Sequence, residues 1–189
     1  MAEITVVAVV IGLLILALLL YIVILYNELV LLNVNLGKAW ANIDVLLKQR
    51  HDEVPNLIAV VTGYKDFEKN TITEVTQART NALSASTIGE KAQSQSQLSG
   101  ALGRLMAVAE NYPQLKAQEN FLLLQKRLSD LESDIADRRS YYNDSVATYN
   151  TRISQFPDLW LAGIMSLKPH DLFQAAEEEK HVVTVGFHS

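Results

Sequence analysis

The stretch Leu36–Tyr64, LGKAWANIDVLLKQRHDEVPNLIAVVTGY, decides the fold class. Its large apolar residues recur at alternating steps of four and three, which is the spacing of a helix face packed against other helices. The stripe comprises Leu36, Trp40, Ile43, Leu47, Val54, Leu57, Val61 and Tyr64, and Arg50 is its only polar member. The chain also has only 8 glycines and 4 prolines, which favours long helices. The sequence therefore predicts an all-α protein.

The segment upstream of this helix is a predicted transmembrane anchor, which we place at residues 1–26. The 23 residues from Ile4 to Tyr26 carry no charge and would span roughly 34 Å as a helix, enough to cross a bilayer. A cleaved signal peptide is the alternative. Against it, Glu3 stands where basic residues are usual, the apolar run is long, and no small-residue cleavage site follows. We expect Tyr21 and Tyr26 to lie at the membrane interface.

Charge around the segment predicts its orientation, and two small residues predict a contact. No Lys or Arg precedes the span, whereas Lys38 and Lys48 follow it, so the positive-inside rule favours an external N-terminus and a cytoplasmic body. Ala8 and Gly12 form a small-xxx-small pair, which can bring two transmembrane helices together.

Two shorter helices are expected after the first. We predict that the first helix ends near residues 69–70. The sequence TITE at Thr71–Glu74 fits a capping box that would begin the second helix, and TIGE at Thr87–Glu90 fits another. The Ser/Gln-rich region between the boxes predicts a turn over residues 85–91.

A second long helix completes the predicted bundle over residues 27–157. The third helix should stop before Pro113, which disfavours helical geometry in the preceding residue but fits the first turn of the next helix. That helix is expected to run to Phe156–Pro157 on the stripe Phe121, Leu124, Leu128, Leu131, Ile135, Arg138, Tyr142, Val146, Tyr149, Ile153 and Phe156. The predicted architecture is an N-terminal transmembrane helix followed by an antiparallel four-helix bundle with two long and two short helices.

Antiparallel packing of the long helices predicts a set of ion pairs. Facing positions would have residue numbers that sum to about 183, so opposite charges would meet between the helices. The expected inter-helix pairs join Asp44 to Arg138 and Arg139, and Arg50 to Glu132 and Asp134. We expect these pairs to fix the register, and we expect Arg50→Ala to leave a buried carboxylate unpaired.

The short helices can cover only part of the long pair, which leaves a predicted two-helix stalk near the membrane. Its apolar side chains would lack partners, and self-association would bury them. The residues predicted for self-association are Leu29, Leu32, Leu36 and Trp40 in the stalk, together with Ala8 and Gly12 in the anchor.

Residues 158–189 form an apolar segment and a C-terminal tail. The apolar segment is predicted either to lie in the membrane interface or to pack against the base of the bundle. Its candidate interface residues are Trp160, Leu161, Ile164 and Met165. The end, HVVTVGFHS, could form a lone strand that needs a partner edge or stay disordered.

Composition and motifs argue against several functional classes. A net charge of −5 argues against a nucleic-acid binder. The chain has no cysteine, and its single Glu-x-x-His, Glu178–His181, is one fewer than a di-iron bundle needs. His51, Asp52 and Glu53 are consecutive and would point about 100° apart on a helix, so they cannot converge on one metal. We therefore predict no catalytic residues, metal or cofactor, and we interpret His51 as a surface or buried, hydrogen-bonded histidine.

Three blocks carry a family resemblance. They are YNELVLLNVNLGKAWANIDVLLKQRHDEVPNLIAVVTGY, AENYPQLKAQENFLLLQKRLSDLESDIADRRSYYNDSVATYN and ISQFPDLWLAG. Their order and spacing over nearly the whole chain resemble the LemA family of bacterial membrane proteins. The resemblance implies an N-terminal anchor, an antiparallel four-helix bundle, an external N-terminus and a bacterial source. It defines no catalytic residues, and a distant branch of the family takes part in forming magnetosome membranes.

These observations favour a non-enzymatic scaffold, anchored by one span in the bacterial inner membrane, that self-associates and organises or shapes a membrane patch. The lipid bilayer and further copies of the chain are then its partners. The alternative is an adaptor that binds another membrane protein, such as a protease or sensor kinase. Neither hypothesis involves nucleic acid.

Overall fold

The computed structural model describes residues 1–64 and 67–174, and within these ranges every regular element is a helix. This confirms the predicted all-α class. The helices are α1 (Ala2–Thr62), α2 (Lys69–Ser84), α3 (Ile88–Ala109), α4 (Pro113–Lys116), α5 (Glu119–Ser154) and α6 (Asp158–Ile164). The predicted strand at residues 181–189 and the Glu178–His181 motif lie outside the described residues.

Helix α1 is continuous over 61 residues and passes through Pro55. Its predicted stripe is confirmed, because seven of its nine members, Arg50 included, are buried and Trp40 and Tyr64 are half-buried. Within the described part of the chain, α1 is the one helix long and apolar enough to cross a membrane, and its most apolar window is entirely exposed. The described part of the chain therefore leaves the surface of this apolar segment uncovered.

The end of α1 differs from its prediction. The helix ends at Thr62 and not near residues 69–70. Beyond it, the backbone N–H of Phe67 donates to the carbonyl oxygen of Tyr64 at 3.1 Å. The ring of Phe67 is buried, with its centroid 5.2 Å from that of Tyr112. The chain therefore leaves the helix at Thr62, and the side chain of Phe67 enters the core.

The start of α2 is also a correction. The helix begins at Lys69, two residues before the predicted cap, and its N-cap residue Glu68 makes no capping side-chain bond. Thr71 is buried inside the helix and is spaced by four from the buried Val75. Its side chain belongs to the core-facing stripe of α2, so TITE was wrongly interpreted as a capping box.

The second box is confirmed at the start of α3. The Thr87 Oγ1 accepts a hydrogen bond from the backbone N–H of Glu90 at 3.2 Å. In return, the Glu90 carboxylate accepts from the backbone N–H of Thr87 at 3.1 Å. The Glu90 carboxylate also accepts from the backbone N–H of Ser86 at 2.9 Å. The hydrogen bonds that this carboxylate accepts, with that from Ser86 contributing most, lower the pKa of Glu90 to about 2. Because α3 begins at Ile88, the turn spans only residues 85–87 and is shorter than predicted.

The long helix expected after α3 is broken into two. As predicted, α3 ends before Pro113, and this proline occupies the first turn of α4. However, α4 ends at Lys116 and α5 begins only at Glu119. Leu115 and Phe121 are both buried, yet six residues of unbroken helix would turn them to faces about 120° apart. The break lets both side chains enter the core.

The described chain divides into two compact units. The larger comprises Leu46–Ala136 and the described residues from Leu172 onward. Its core combines α1, α2, α3, α4 and α5. The buried cluster comprises Val54, Leu57, Val61, Phe67, Val75, Ala78, Ala82, Leu98, Ala101, Leu102, Leu105, Ala109, Leu115, Phe121, Leu124 and Leu128.

The other unit comprises Met1–Val45 and Asp137–Asp171. Here the predicted shortage of partners is wrong, because Leu29 and Leu36 are fully buried and Leu32 and Trp40 are half-buried. The chain covers these side chains itself, using the last turns of α5 and the segment that follows. Other buried members of this unit are Leu25, Ala39, Ile43, Tyr142, Val146, Tyr149, Ile153 and Ala162.

The segment after α5 turns sharply at both ends of α6. The Phe156–Pro157 peptide bond before α6 is cis. At the other end Ser166 adopts a φ of 54°, and the N–H of Leu167 donates to the carbonyl of Ala162 at 3.0 Å. This is a Schellman motif, in which a left-handed residue satisfies the last carbonyls of a helix. It turns the chain back after α6.

Candidate functional site

A buried guanidinium is the centre of the polar cluster in α1. Arg50 is 1% exposed, and its Nη1 lies 2.9 Å from Oε2 of Glu132 on α5. Its Nη2 donates to Oγ of Ser99 on α3 at 2.8 Å, and that hydroxyl donates to Oε1 of Glu132 at 2.7 Å. Burial lowers the pKa of Arg50, and the charge of Glu132 opposes this shift. Three helices are thus joined through one cation.

The carboxylate of this pair is the exposed partner. Glu132 is 49% exposed. The prediction of a buried carboxylate is therefore wrong, and the buried charge of this pair is the guanidinium. This arrangement arises because Arg50 belongs to the core-facing stripe of α1 and its long side chain reaches outward to the rim.

His51 is buried and hydrogen-bonded, as predicted. Its Nε2 lies 2.8 Å from Nε2 of Gln95 on α3. These two side chains form a buried hydrogen bond between α1 and α3. The position is therefore a structural polar contact between α1 and α3.

Pro55 explains a further contact that the sequence reading missed. Proline has no N–H, so the carbonyl of the residue four positions earlier, His51, loses its helical partner. In the structure Nε of Arg79 on α2 donates to this carbonyl at 2.9 Å. The proline therefore creates an acceptor that docks α2. The signal was present in the sequence as the spacing of Pro55 and His51.

The other predicted ion-pair residues have different surroundings. Asp134, Arg138 and Arg139 are exposed, so Arg138 is not the buried stripe member that was predicted. Asp44 is exposed too and has an interaction of its own. An additional pair joins Arg127 Nη1 to Glu53 Oε1 at 3.1 Å. Of the predicted ion pairs between the long helices, the structure thus forms the one between Arg50 and Glu132.

The polar layer consists of the side chains whose contacts are described above, namely Arg50, His51, Gln95, Ser99 and Glu132. Its groups are engaged in contacts between helices, and among residues 1–64 and 67–174 no three His, Asp or Glu side chains lie where they could hold one metal ion. The cluster therefore joins helices.

Tyr142 and Asn150 of α5 bind the chain segment that follows α6. Tyr142 is buried, with its ring centroid 5.5 Å from that of Trp40, and its hydroxyl donates to the carbonyl of Asp171 at 3.1 Å. Burial, and secondly the charge of Asp171, raise the pKa of Tyr142. Asn150 makes two bonds to the backbone of His170, donating from Nδ2 to its carbonyl and accepting its N–H at Oδ1, both at 2.9 Å.

A second guanidinium links the start of the predicted body to α6. Arg152 Nη2 lies 2.7 Å from Oε2 of Glu28, and its Nε lies 2.6 Å from Oδ2 of Asp158. The hydrogen bonds to Glu28 and then to Asp158 raise the pKa of Arg152. Sequence reasoning missed this trio, although residue numbers 28 and 152 sum to 180 and so agree with the predicted register.

The candidate interface residues divide by exposure. Trp160 is 70% exposed and Ile164 is 82% exposed, whereas Leu161 and Met165 are half-buried. Phe156 is exposed, so the prediction that it belongs to the apolar stripe of α5 is wrong. In the apolar part of α1, Tyr21 and Tyr26, and Ala8 and Gly12 as well, are exposed.

Comparisons with known proteins identify a family and several relatives of this chain. The model of the LemA family matches residues 39–187. Magnetosome protein MamQ 2 of Paramagnetospirillum magneticum is 26% identical over 175 residues, covering 79% of this chain and 64% of that protein. Magnetosome protein MamQ of Magnetospirillum gryphiswaldense is 25% identical over 174 residues, covering 78% and 64%. Protein LemA of Metamycoplasma hominis is 29% identical over 156 residues, covering 82% and 71%.

The chain thus spans 64% of the length of the MamQ relatives that it matches. The family match covers well over half of the chain and includes the polar layer, the segment after α5 and the stripe of α1 from Trp40 onward. This protein therefore belongs to the LemA family.

Proposed function

We propose that this protein is a membrane-anchored helical scaffold that self-associates in a bacterial inner membrane and organises the surrounding patch without catalysing a reaction. The observation that carries the proposal is the continuity of α1. The uncharged residues 4–26 and the buried stripe of the body belong to one unbroken helix. Because no flexible linker separates the apolar segment from the packed residues that follow it, the two parts of the helix are rigidly joined.

We further propose that the parts of α1, α2, α3 and α5 within Leu46–Ala136 form an antiparallel four-helix bundle, in which α1 and α5 are the long helices and α2 and α3 the short ones. Two ion pairs between α1 and α5 support this: Arg50 contacts Glu132, and Glu53 contacts Arg127. Residue numbers on α5 fall as those on α1 rise, which is the order expected for antiparallel neighbours.

The orientation of the anchor is proposed from charge. The first basic residue after the apolar segment is Lys38, and no Lys or Arg precedes that segment. The positive-inside rule then places the N-terminus outside and the body in the cytoplasm. We propose the bacterial inner membrane as the location, because we propose one membrane span and because the LemA family consists of bacterial membrane proteins.

The relatives support membrane organisation as the role. Two of them are named as magnetosome proteins, and the family resemblance includes a distant branch that takes part in forming magnetosome membranes, which favours membrane organisation. Self-association is proposed on the anchor, since the stalk residues Leu29 and Leu36 are already buried within one chain. The small residues Ala8 and Gly12 lie one helical turn apart on the exposed surface of α1.

The oligomeric state of the full chain tests this proposal. We expect assemblies larger than a monomer in detergent, measured by sedimentation, and expect Ala8→Leu/Gly12→Leu to reduce them. A Cβ at Gly12 meets no atom within 4 Å, so the substitution should not disturb the single chain. The matched control is Ala17→Leu, which lies on the opposite side of the helix. A strict monomer at every concentration would refute self-association.

Crosslinking in native membranes separates the scaffold from an adaptor. Products containing only further copies of the chain support the scaffold. One dominant foreign membrane protein, present in stoichiometric amount, would instead support the adaptor and direct attention to that partner.

A further inference from the structure

Helix α6 presents two chemically different faces. Asp158 and Ala162, four residues apart, are buried. Trp160 and Ile164, also four residues apart, are among the most exposed large apolar side chains in the described chain. Because positions two apart on a helix point about 200° away from each other, the buried pair and the exposed pair occupy opposite faces. One face fixes α6 to its own unit, and the other is uncovered.

The exposed face continues beyond the helix. Phe156 precedes α6 and is 71% exposed, and its ring meets that of Trp160 edge to face with centroids 5.1 Å apart. Leu159 is exposed beside them. Aromatic side chains with one polar edge, such as Trp160, are favoured where apolar and wet regions meet.

Arg152 fixes the level at which this face lies. Its guanidinium bonds Glu28, two residues after the apolar segment ends, and Asp158, the first residue of α6. Two helical residues rise only about 3 Å. The N-terminal end of α6 is therefore held beside the end of the proposed membrane span, and Tyr26 is exposed at the same level.

We propose that α6 lies in the headgroup region of the same bilayer that holds the chain's own N-terminal helix, with Trp160 and Ile164 directed toward the acyl chains. The inference rests on the proposed membrane anchor and identifies the lipid surface as the partner of this face. The exposed apolar face is too small for a stable contact with a second protein. Large aromatic side chains bury about 150–250 Å² each, and four partly covered apolar residues fall short of the roughly 800 Å² per partner of a stable interface.

The bilayer also suits the residues that flank α6. Lys168 follows the helix and is exposed, where its ammonium can reach lipid phosphates while its stem covers apolar surface. The half-buried Leu161 and Met165 lie between the two faces. They would border the lipid without entering it deeply.

Depth-dependent quenching of Trp160 tests the proposal. The chain has 2 tryptophans, so Trp40→Phe leaves Trp160 as the single reporter. We would reconstitute this full chain in vesicles of phosphatidylcholine and phosphatidylglycerol, with bromines at shallow or deep acyl positions, and confirm by flotation that the protein stays with the vesicles. We expect stronger quenching by shallow than by deep bromines, and little quenching by aqueous iodide.

Three results would overturn the inference while leaving the anchor intact, provided that the protein floats with the vesicles. Quenching by iodide alone would place Trp160 in water. Quenching by neither agent would place it under protein, as at a contact between copies. Stronger quenching by deep than by shallow bromines would place it below the headgroup region. Failure to float would instead refute the anchor itself, so the two proposals fail by different observations.

The role of the guanidinium is tested separately. Glu28→Gln should lose most of the shallow quenching because it removes the charged link to the span while Arg152 still bonds Asp158. Lys126→Gln, which also changes one charge but at an exposed position elsewhere on α5, should leave the quenching unchanged. Circular dichroism checks that each variant folds. Unchanged quenching in a folded Glu28→Gln chain would show that this link does not set the depth of α6.

Discussion

Replacing either member of the Arg50–Glu132 pair should have unequal effects on stability. Arg50 is 1% exposed and Glu132 is 49% exposed. Removing Glu132 leaves a cation buried without its counter-charge, and breaking a buried pair in this way costs about 3 kcal/mol. Ser99 keeps one bond to the guanidinium at 2.8 Å, which places the expected loss for Glu132→Ala at the lower end of the range for buried pairs.

The opposite substitution should be far milder. In Arg50→Met an apolar side chain of similar length fills the same space, and the carboxylate left behind is half in water and can be hydrated. Replacement of buried ions by apolar groups is often neutral or better, so we expect Arg50→Met to stay within about 1 kcal/mol of the wild type. The double variant Arg50→Met/Glu132→Ala should then recover most of the loss caused by Glu132→Ala.

Chemical denaturation of the full chain in detergent, followed by circular dichroism, measures these differences. Arg127→Ala is the matched control, because Arg127 is 55% exposed and Glu53 is 20% exposed, so the pair is open to solvent on the Arg127 side and should contribute less than about 1 kcal/mol. The reasoning fails if Arg50→Met destabilises the chain as much as Glu132→Ala does, or if the double variant shows no recovery. Either result would mean that an unpaired buried guanidinium is not the source of the loss.

Two further predictions concern Pro55 and Glu90. Arg79→Ala should cost about 1 kcal/mol by leaving the His51 carbonyl unpaired, but little in a Pro55→Ala background, where the restored N–H can bond that carbonyl. Equal losses of melting temperature in both backgrounds would contradict this. Glu90 has a folded pKa of about 2, below the unfolded value near 4.3, so its stabilisation is present above the unfolded pKa and is lost as the pH falls toward 2. The melting temperatures of wild type and Glu90→Gln should converge over that range, and a constant difference would refute the assignment.

The sequence predicted best what depends on regular spacing. The stripe of α1 follows from one helical period, and the capping box at Thr87 and the helix start at Pro113 depend on a few adjacent residues. The boundaries around Phe67 and Leu115 could not be found in this way. At both positions an apolar side chain reaches the core only if the helix is interrupted, and this depends on where distant residues lie.

The polar contacts divide in the same manner. The position of Glu132 opposite Arg50 follows from a single assumption about register, and Arg79 could have been sought once Pro55 was seen to free a carbonyl. Which member of a pair is buried could not be predicted from position alone, because the length of each side chain and the cover given by α3 decide it. The linkage through Arg152 joins residues of α1, α5 and α6, and no local pattern in the sequence indicates it.

The bonds between Asn150 and His170 have an evolutionary consequence. Both bonds use the backbone of His170, so the amide of Asn150 recognises a peptide group and not a particular side chain. Position 170 can therefore drift among nearly all amino acids while the return of the chain along α5 is preserved. Proline is the exception, since it has no N–H to donate. Selection should thus act on residue 150 and leave the identity of residue 170 largely open, with only the ring contact to Tyr149 favouring an aromatic side chain.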